Sequence, residues 1–196
     1  MGRPMTDELG PAQSGVHLLT LGHGTLTIEA FIALAHNARI EHIVDVRTVP
    51  KSKHNPQFAR EAMQEWIPPA GLSYRWEQRL GGFRRPRPDS KNIALRHPAF
   101  RGYADYMQTP PFWHAFDELL DEAVVARTAI MCSETLWWRC HRRLIADAAV
   151  LTRGVAVQDL FHDDKLAAHR VTEGARVHGG LVVYDVLSEP SLLEHL

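Results

Sequence analysis

Two cysteines, Cys132 and Cys140, stand eight positions apart, and His141, Arg142 and Arg143 follow the second directly. A thiol close to a helix N-terminus and to cationic side chains ionises more readily, and the thiolate is the form that attacks an electrophile or binds a metal. Cys132 is therefore a candidate nucleophile, with His141 or His23 as its proton-transfer partner. Glu134 and Asp45 are carboxylates that could serve as a general base or orient His23. For Asp45, an ion pair with a nearby arginine is the better reading. Cys132 is equally readable as a core residue, since free cysteine is among the most buried residue types. The same cysteines and histidines also offer the nitrogen and sulfur donors that zinc takes. Seven residues between the cysteines is not the spacing of a tight zinc knuckle, and neighbours on an ideal helix point about 100° apart. Cys140 and His141 are thus not expected to share an ion, and no metal ligand or cofactor is assigned.

The charges around these residues are segregated. Between positions 75 and 101 eight basic residues stand against two acidic ones. With 45–53 and 134–143, that stretch carries a net +10 in a chain whose total is −1. Such a distribution is what an anion site on an otherwise acidic body looks like. The candidate ligand-binding residues are Arg47, Arg84, Arg85, Arg101, Arg139 and Arg142, with Cys140, and the expected partner is an anionic small molecule or a nucleic acid. The bland alternative is that these arginines solvate a loop or pair with acids elsewhere. A cysteine, a loop and a helix in that order also invite comparison with phosphate-cradling loops. Here six residues rather than five separate Cys132 from Arg139, and Trp137 and Trp138 replace the small residues of such a cradle.

The elements that must position these residues can be read from periodicity and turn chemistry. Residues 16–21 form a short apolar strand closed by Gly22-His23-Gly24-Thr25. Thr27 can cap the helix that follows, in which Ile28, Phe31, Ile32 and Ala35 share one face. A second strand spans 40–46. Asn55-Pro56 opens a helix through Trp66, which Pro68-Pro69 stops, and a third strand covers 72–76. Residues 78–97 are a long arginine-bearing loop of the kind that is functional or disordered. Helices begin at His97-Pro98 and at Thr109-Pro110, and a fourth strand covers 128–132. A helix over about 136–151 follows, ended by Gly154. The fifth strand is 155–161, and 181–186 offers a sixth. Strands alternating with helices predict an α/β fold, three-layered, with a mainly parallel sheet and helices on both faces. Ligands of such sheets bind beyond the carboxyl ends of the strands. The loops bearing His23, Arg47, the arginine run and Cys132 should therefore share one edge.

With 196 residues, the chain is long enough to bury a core as one domain, read here as 16–187 after a polar lead-in at 1–15 and before a tail at 188–196. No apolar run approaches the roughly 20 residues of a membrane span. Two cysteines do not make a disulfide scaffold, so the expected setting is cytoplasmic, with reduced thiols. Aromatic residues Trp76, Tyr103, Tyr106, Trp137 and Trp138 could stack on bases beside the arginines, although Tyr106 and Trp137 read as core. His162-Asp163-Asp164 reads as a solvated turn.

Several stretches occur together in order: Thr20-Leu21-Gly22-His23-Gly24-Thr25, Val44-Asp45-Val46-Arg47, Asn55-Pro56-Gln57-Phe58, Leu80-Gly81-Gly82, Phe100-Arg101-Gly102-Tyr103-Ala104-Asp105-Tyr106-Met107, Met131-Cys132-Ser133-Glu134 and Cys140-His141-Arg142-Arg143. Over roughly residues 17–160 the chain resembles the bacterial and archaeal family called domain of unknown function 488. The resemblance implies an intracellular α/β domain. Its signature positions here would be His23, Asp45, Arg47, Cys132, Glu134, Cys140, His141 and Arg142. Gly24 departs from it, standing where a serine would be usual. The resemblance brings no activity with it. A cysteine-dependent hydrolase or transferase acting on an anion, a non-catalytic nucleotide or nucleic-acid binder, and a structural metal site all remain open.

Overall fold

The computed structural model describes residues 18–186. The lead-in, the first two residues of the opening strand and the tail lie outside the described residues. Five parallel strands, β1 (Leu18–Gly22), β2 (His42–Asp45), β3 (Ser73–Trp76), β4 (Thr128–Cys132) and β5 (Val157–Leu160), and the antiparallel edge strand β6 (Leu166–Ala168) form one sheet in the order β3-β2-β4-β1-β5-β6. The strand expected over 181–186 is found as β8 (Leu181–Tyr184), but it pairs with β7 (Ala175–His178) in a separate hairpin.

Alternation along the strands sorts the core into two layers, because successive side chains leave opposite faces of a sheet. Leu18, Val44, Val46, Ile130, Cys132 and Val157 face a cluster containing Tyr103, Phe112, Phe116, Leu119, Leu144 and Ala148. These come from helices α3 (Pro98–Tyr106), α4 (Pro110–Val125) and α5 (Arg142–Arg153). Leu19, Leu21, Ile43, Ala129, Met131 and Leu160 face Phe31, Leu34, Ala35 and Met63, carried by α1 (Ile28–Asn37) and α2 (Arg60–Trp66). The fold is the three-layered, mainly parallel α/β architecture.

Local signals behave as their chemistry dictates. Thr27 Oγ1 accepts from the Ala30 N–H at 3.2 Å, and α5 ends on Gly154, whose N–H returns to the Val150 carbonyl. Two helices differ from expectation. The segment opened by Asn55-Pro56 is broken: a 3-10 turn, Pro56–Phe58, is separated from α2 by Ala59, which is extended, and Asn55 makes no side-chain cap. The helix expected from 136 begins only at Arg142. Before it lie a 3-10 turn, Trp137–Arg139, and an extended Cys140 with φ −123° and ψ 148°. This second break reshapes the site.

A candidate active site at the strand ends

Strands β2, β4 and β1 are neighbours, so their carboxyl ends open side by side. Cys132 is in register with Gly22, and Met131 with Asp45. Pairing continues into the loops: His23 N–H donates to Cys132 O at 3.0 Å, Gly24 N–H to Ser133 O at 3.0 Å, and Val46 N–H to Met131 O at 2.9 Å. These bonds bring His23, Arg47 and Cys132 to one rim, where they line a cavity of about 610 Å3 with Lys51, Glu134, Arg139, Cys140 and His141.

One wall of the cavity is an ordered charge network. Arg47 donates from Nε to Asp45 Oδ1 at 2.8 Å and from Nη2 to Asp45 Oδ2 at 2.5 Å, and the Arg47 backbone N–H also reaches Oδ1. Tyr74 donates its hydroxyl to Asp45 Oδ2 at 2.8 Å. Asp45 has no exposed surface. Its oxygens are taken up in positioning Arg47, so the structure gives it the pairing role and leaves no free lone pair directed at the cavity. His23 is stacked on Phe58, with ring centroids 4.2 Å apart. Its Nδ1 lies 2.9 Å from the Gly24 carbonyl and its Nε2 3.2 Å from Arg47 Nη1. The tautomer assigned by those partners has the proton on Nδ1 and the lone pair of Nε2 accepting from arginine. Burial, reinforced by the Arg47 charge, pulls the His23 pKa down to about 4. The ring is neutral, with both nitrogens engaged.

Cys132, Cys140 and His141 hold the sulfur chemistry of the same cavity. His141 Nε2 lies 3.0 Å from the Val46 carbonyl, to which it donates, so Nδ1 carries the lone pair. That Nδ1 is 4.0 Å from Cys132 Sγ and 3.8 Å from Cys140 Sγ. All three potential ligand atoms lie within 4.8 Å of one another. Both cysteines are free and buried. Cys140 and His141 do not diverge as helix neighbours would, because Cys140 is extended and His141 is the N-cap of α5. The His141 ring is held between the edge of Tyr103, with centroids 4.9 Å apart, and Gly82, where an added Cβ would come within 3.0 Å of Nδ1.

The two thiols are shifted in opposite directions. Burial opposes ionisation of Cys140, but the neighbouring Cys132 thiol and the charge of Arg142 outweigh it and lower its pKa to about 6. The neighbouring Cys140, together with burial, pushes Cys132 up to about 12.

Arg142 is turned inward. It is buried, and its Nη1 and Nη2 donate to the carbonyls of Glu134 and Thr135 at 2.5 and 3.0 Å. This clamp needs Gly22, since a Cβ there would collide with the Glu134 carbonyl oxygen. The Glu134 carboxylate itself is exposed at the cavity. Arg84 stacks on Tyr106 at 3.8 Å and bonds Gly81 O, and Arg101 bonds Leu95 O. Together with the exposed Arg85, they lie outside the cavity lining, as Arg142 does, so of the candidate ligand-binding residues the structure brings Arg47, Arg139 and Cys140 to the cavity. From the long loop, Gly82 and Phe83 reach the cavity instead. Residues the sequence did not single out, Lys51 at the rim, Phe58 beneath His23 and Tyr74 on Asp45, complete the site. The basic character of 45–53 pointed to the first and the Asn55-Pro56-Gln57-Phe58 stretch to the second. A second cleft of about 1040 Å3 adjoins, sharing His97, Phe100 and Trp138 with the first. His162 is part-buried rather than a free turn residue, with Nε2 2.6 Å from the Gly22 carbonyl.

Fold and site together define a doubly wound α/β domain with a cationic pocket, floored by cysteine and histidine, beyond the carboxyl ends of adjacent parallel strands. The family described as Domain of unknown function DUF488 matches residues 27–149, and the chain belongs to it. That span takes in Asp45, Arg47, Cys132, Glu134 and Cys140 to Arg142, and it begins after His23. No curated protein and no solved structure matches the chain. Among the described residues no helix is long and apolar enough to cross a membrane.

Proposed function

We propose that the pocket binds a small anionic molecule, a phosphate compound or nucleotide, and that the Cys140–Cys132–His141 group acts on it in a hydrolase or transferase reaction. The observation that carries this reading is the charge of the lining. Arg47, Lys51 and Arg139 approach from two loops; Arg47 is paired with the buried Asp45, and Glu134 is the acidic residue of the lining. Arg47 has five N–H donors, and one on Nη1 has no partner among the described residues after those to Asp45, His23 and Met63 are counted. Lys51 and Arg139 are exposed and form no ion pair among the described residues. The volume is in the range of small-molecule sites, roughly 300–1,000 Å3. Two buried free thiols fit a reducing, cytoplasmic setting.

A second reading, a nucleotide or single-stranded nucleic acid held without chemistry, is favoured by the adjoining cleft. There Trp138 and Phe100, with Arg96, Arg143 and Arg170 nearby, offer stacking surfaces beside cations.

Calorimetric titration with inorganic pyrophosphate tests the pocket. Each charge-assisted hydrogen bond contributes about 1.5–3 kcal/mol, so a Lys51→Gln, Arg139→Gln double variant should bind at least about tenfold more weakly than the wild type. Affinity unchanged in that variant, or an absence of binding to the wild type, contradicts the reading.

A further inference from the structure

The geometry points to a zinc site: we propose that Cys132 Sγ, Cys140 Sγ and His141 Nδ1 are three ligands of one zinc ion whose fourth position opens into the pocket. Tetrahedral zinc holds sulfur at about 2.3 Å and imidazole nitrogen at about 2.0–2.1 Å, which requires ligand separations of about 3.8 Å between sulfurs and about 3.6 Å between sulfur and nitrogen. The two sulfur–nitrogen separations here are 4.0 and 3.8 Å, and no pair in the group exceeds 4.8 Å. Closing the group onto an ion takes only small side-chain shifts.

Three features beyond proximity support this assignment. The ligands come from two elements, the end of β4 and the turn before α5, and both are fixed by long-range bonds to the rim. The His141 ring is also fixed, because its Nε2–H donates to the Val46 carbonyl and directs the Nδ1 lone pair at the sulfurs. That is the outer-sphere bond which orients metal-binding histidines. Finally, two sulfurs and one imidazole suit zinc and are foreign to magnesium or calcium, which take oxygen. Three protein ligands and an open place are the pattern of reactive rather than structural zinc. Loading requires no redox partner: zinc exchanges waters for two sulfurs and a nitrogen, and the thiol protons leave to solvent. The ion's position depends only on the three side chains. Its exposure to an anion rests on the pocket reading above.

The test is titration of the metal-free full chain with cobalt(II) and then zinc, followed by absorption spectroscopy. One equivalent of cobalt should bind, with a thiolate-to-metal charge-transfer band and the intense visible bands of four-coordination, and one equivalent of zinc should displace it. Losing an outer-sphere partner costs about 10–100-fold in metal affinity, so Cys132→Ser, Cys140→Ser and His141→Ala should each lose at least about 100-fold. The wild-type spectrum stands even where a variant fails to fold, and far-ultraviolet dichroism identifies such variants. Absence of stoichiometric binding, a spectrum without the thiolate band, or a folded His141→Ala variant that binds cobalt unchanged overturns the assignment. Pyrophosphate titration of zinc-loaded and metal-free protein separates the two proposals. Pyrophosphate bound without any zinc binding defeats the metal alone, and zinc bound without pyrophosphate defeats the pocket reading alone.

Discussion

Asp45 accepts from three groups of Arg47 and from Tyr74 while wholly buried. Removing one partner of a buried ion pair leaves an uncompensated charge and costs about 3–5 kcal/mol. Asp45→Asn should therefore lose about that much stability in urea denaturation, whereas Tyr74→Phe, which removes one hydrogen bond, should lose only about 1 kcal/mol. An Asp45→Asn protein within about 1 kcal/mol of the wild type would show that Arg47 is held by other means. That Asp45 pairs with a nearby arginine was legible in the sequence, because Arg47 stands two positions away. Tyr74 was not, since its contact depends on the register of β3 against β2, in which Tyr74 pairs with Ile43. The inward turn of Arg142 toward Cys140 was hidden for a similar reason, since it depends on bonds from Arg142 to the carbonyls of Glu134 and Thr135.

At the scale of elements, β4, the Thr27 cap and the Gly154 stop could be read locally because each depends on residues within one turn or strand. The turn before α5 could not. His141 is tied to Val46, and Arg142 to Glu134 and Thr135, and these bonds override the helical pattern of 136–141. The far end of the sheet is secured by another buried group that no periodicity shows. His169 lies between Asp147 and Asp159, with each ring nitrogen 3.0 Å from a carboxylate oxygen. Asp159 also accepts from Thr20 and Asp147 from Tyr184, so α5, β1, β5 and the β8 hairpin meet there. Burial alone would discharge the ring, but the two aspartates outweigh it and raise its pKa from 6.5 to about 9. A folded-state pKa above the unfolded value means the folded protein holds the proton more tightly. The stability this supplies is fully present below about pH 6.5 and is lost as pH rises through about 9. Thermal midpoints should show His169→Gln most destabilised relative to wild type near about pH 6, with the gap narrowing toward about pH 9–10. A gap that is constant, or that widens with pH, would mean the ring is neutral in the folded chain.

For the molecule as a whole, the layering and the shared rim followed from strand–helix alternation, because a parallel sheet leaves few topologies to choose among. The use of the charges did not. The basic run from Arg75 to Arg101 looked like an anion surface, yet Arg75 and Arg79 bridge Glu77 to Glu122 and Glu118 on α4. Those α4 partners lie far along the chain and are invisible to a local count. The cations left facing the cavity are few, and they belong to the loops after β2 and β4. Backbone amide chemical shifts, followed by NMR as inorganic pyrophosphate is added, test this most directly. The account predicts saturable shifts concentrated in 47–52 and 133–141, with little change in 84–96. Shifts confined to 84–96, or none at all, would contradict it.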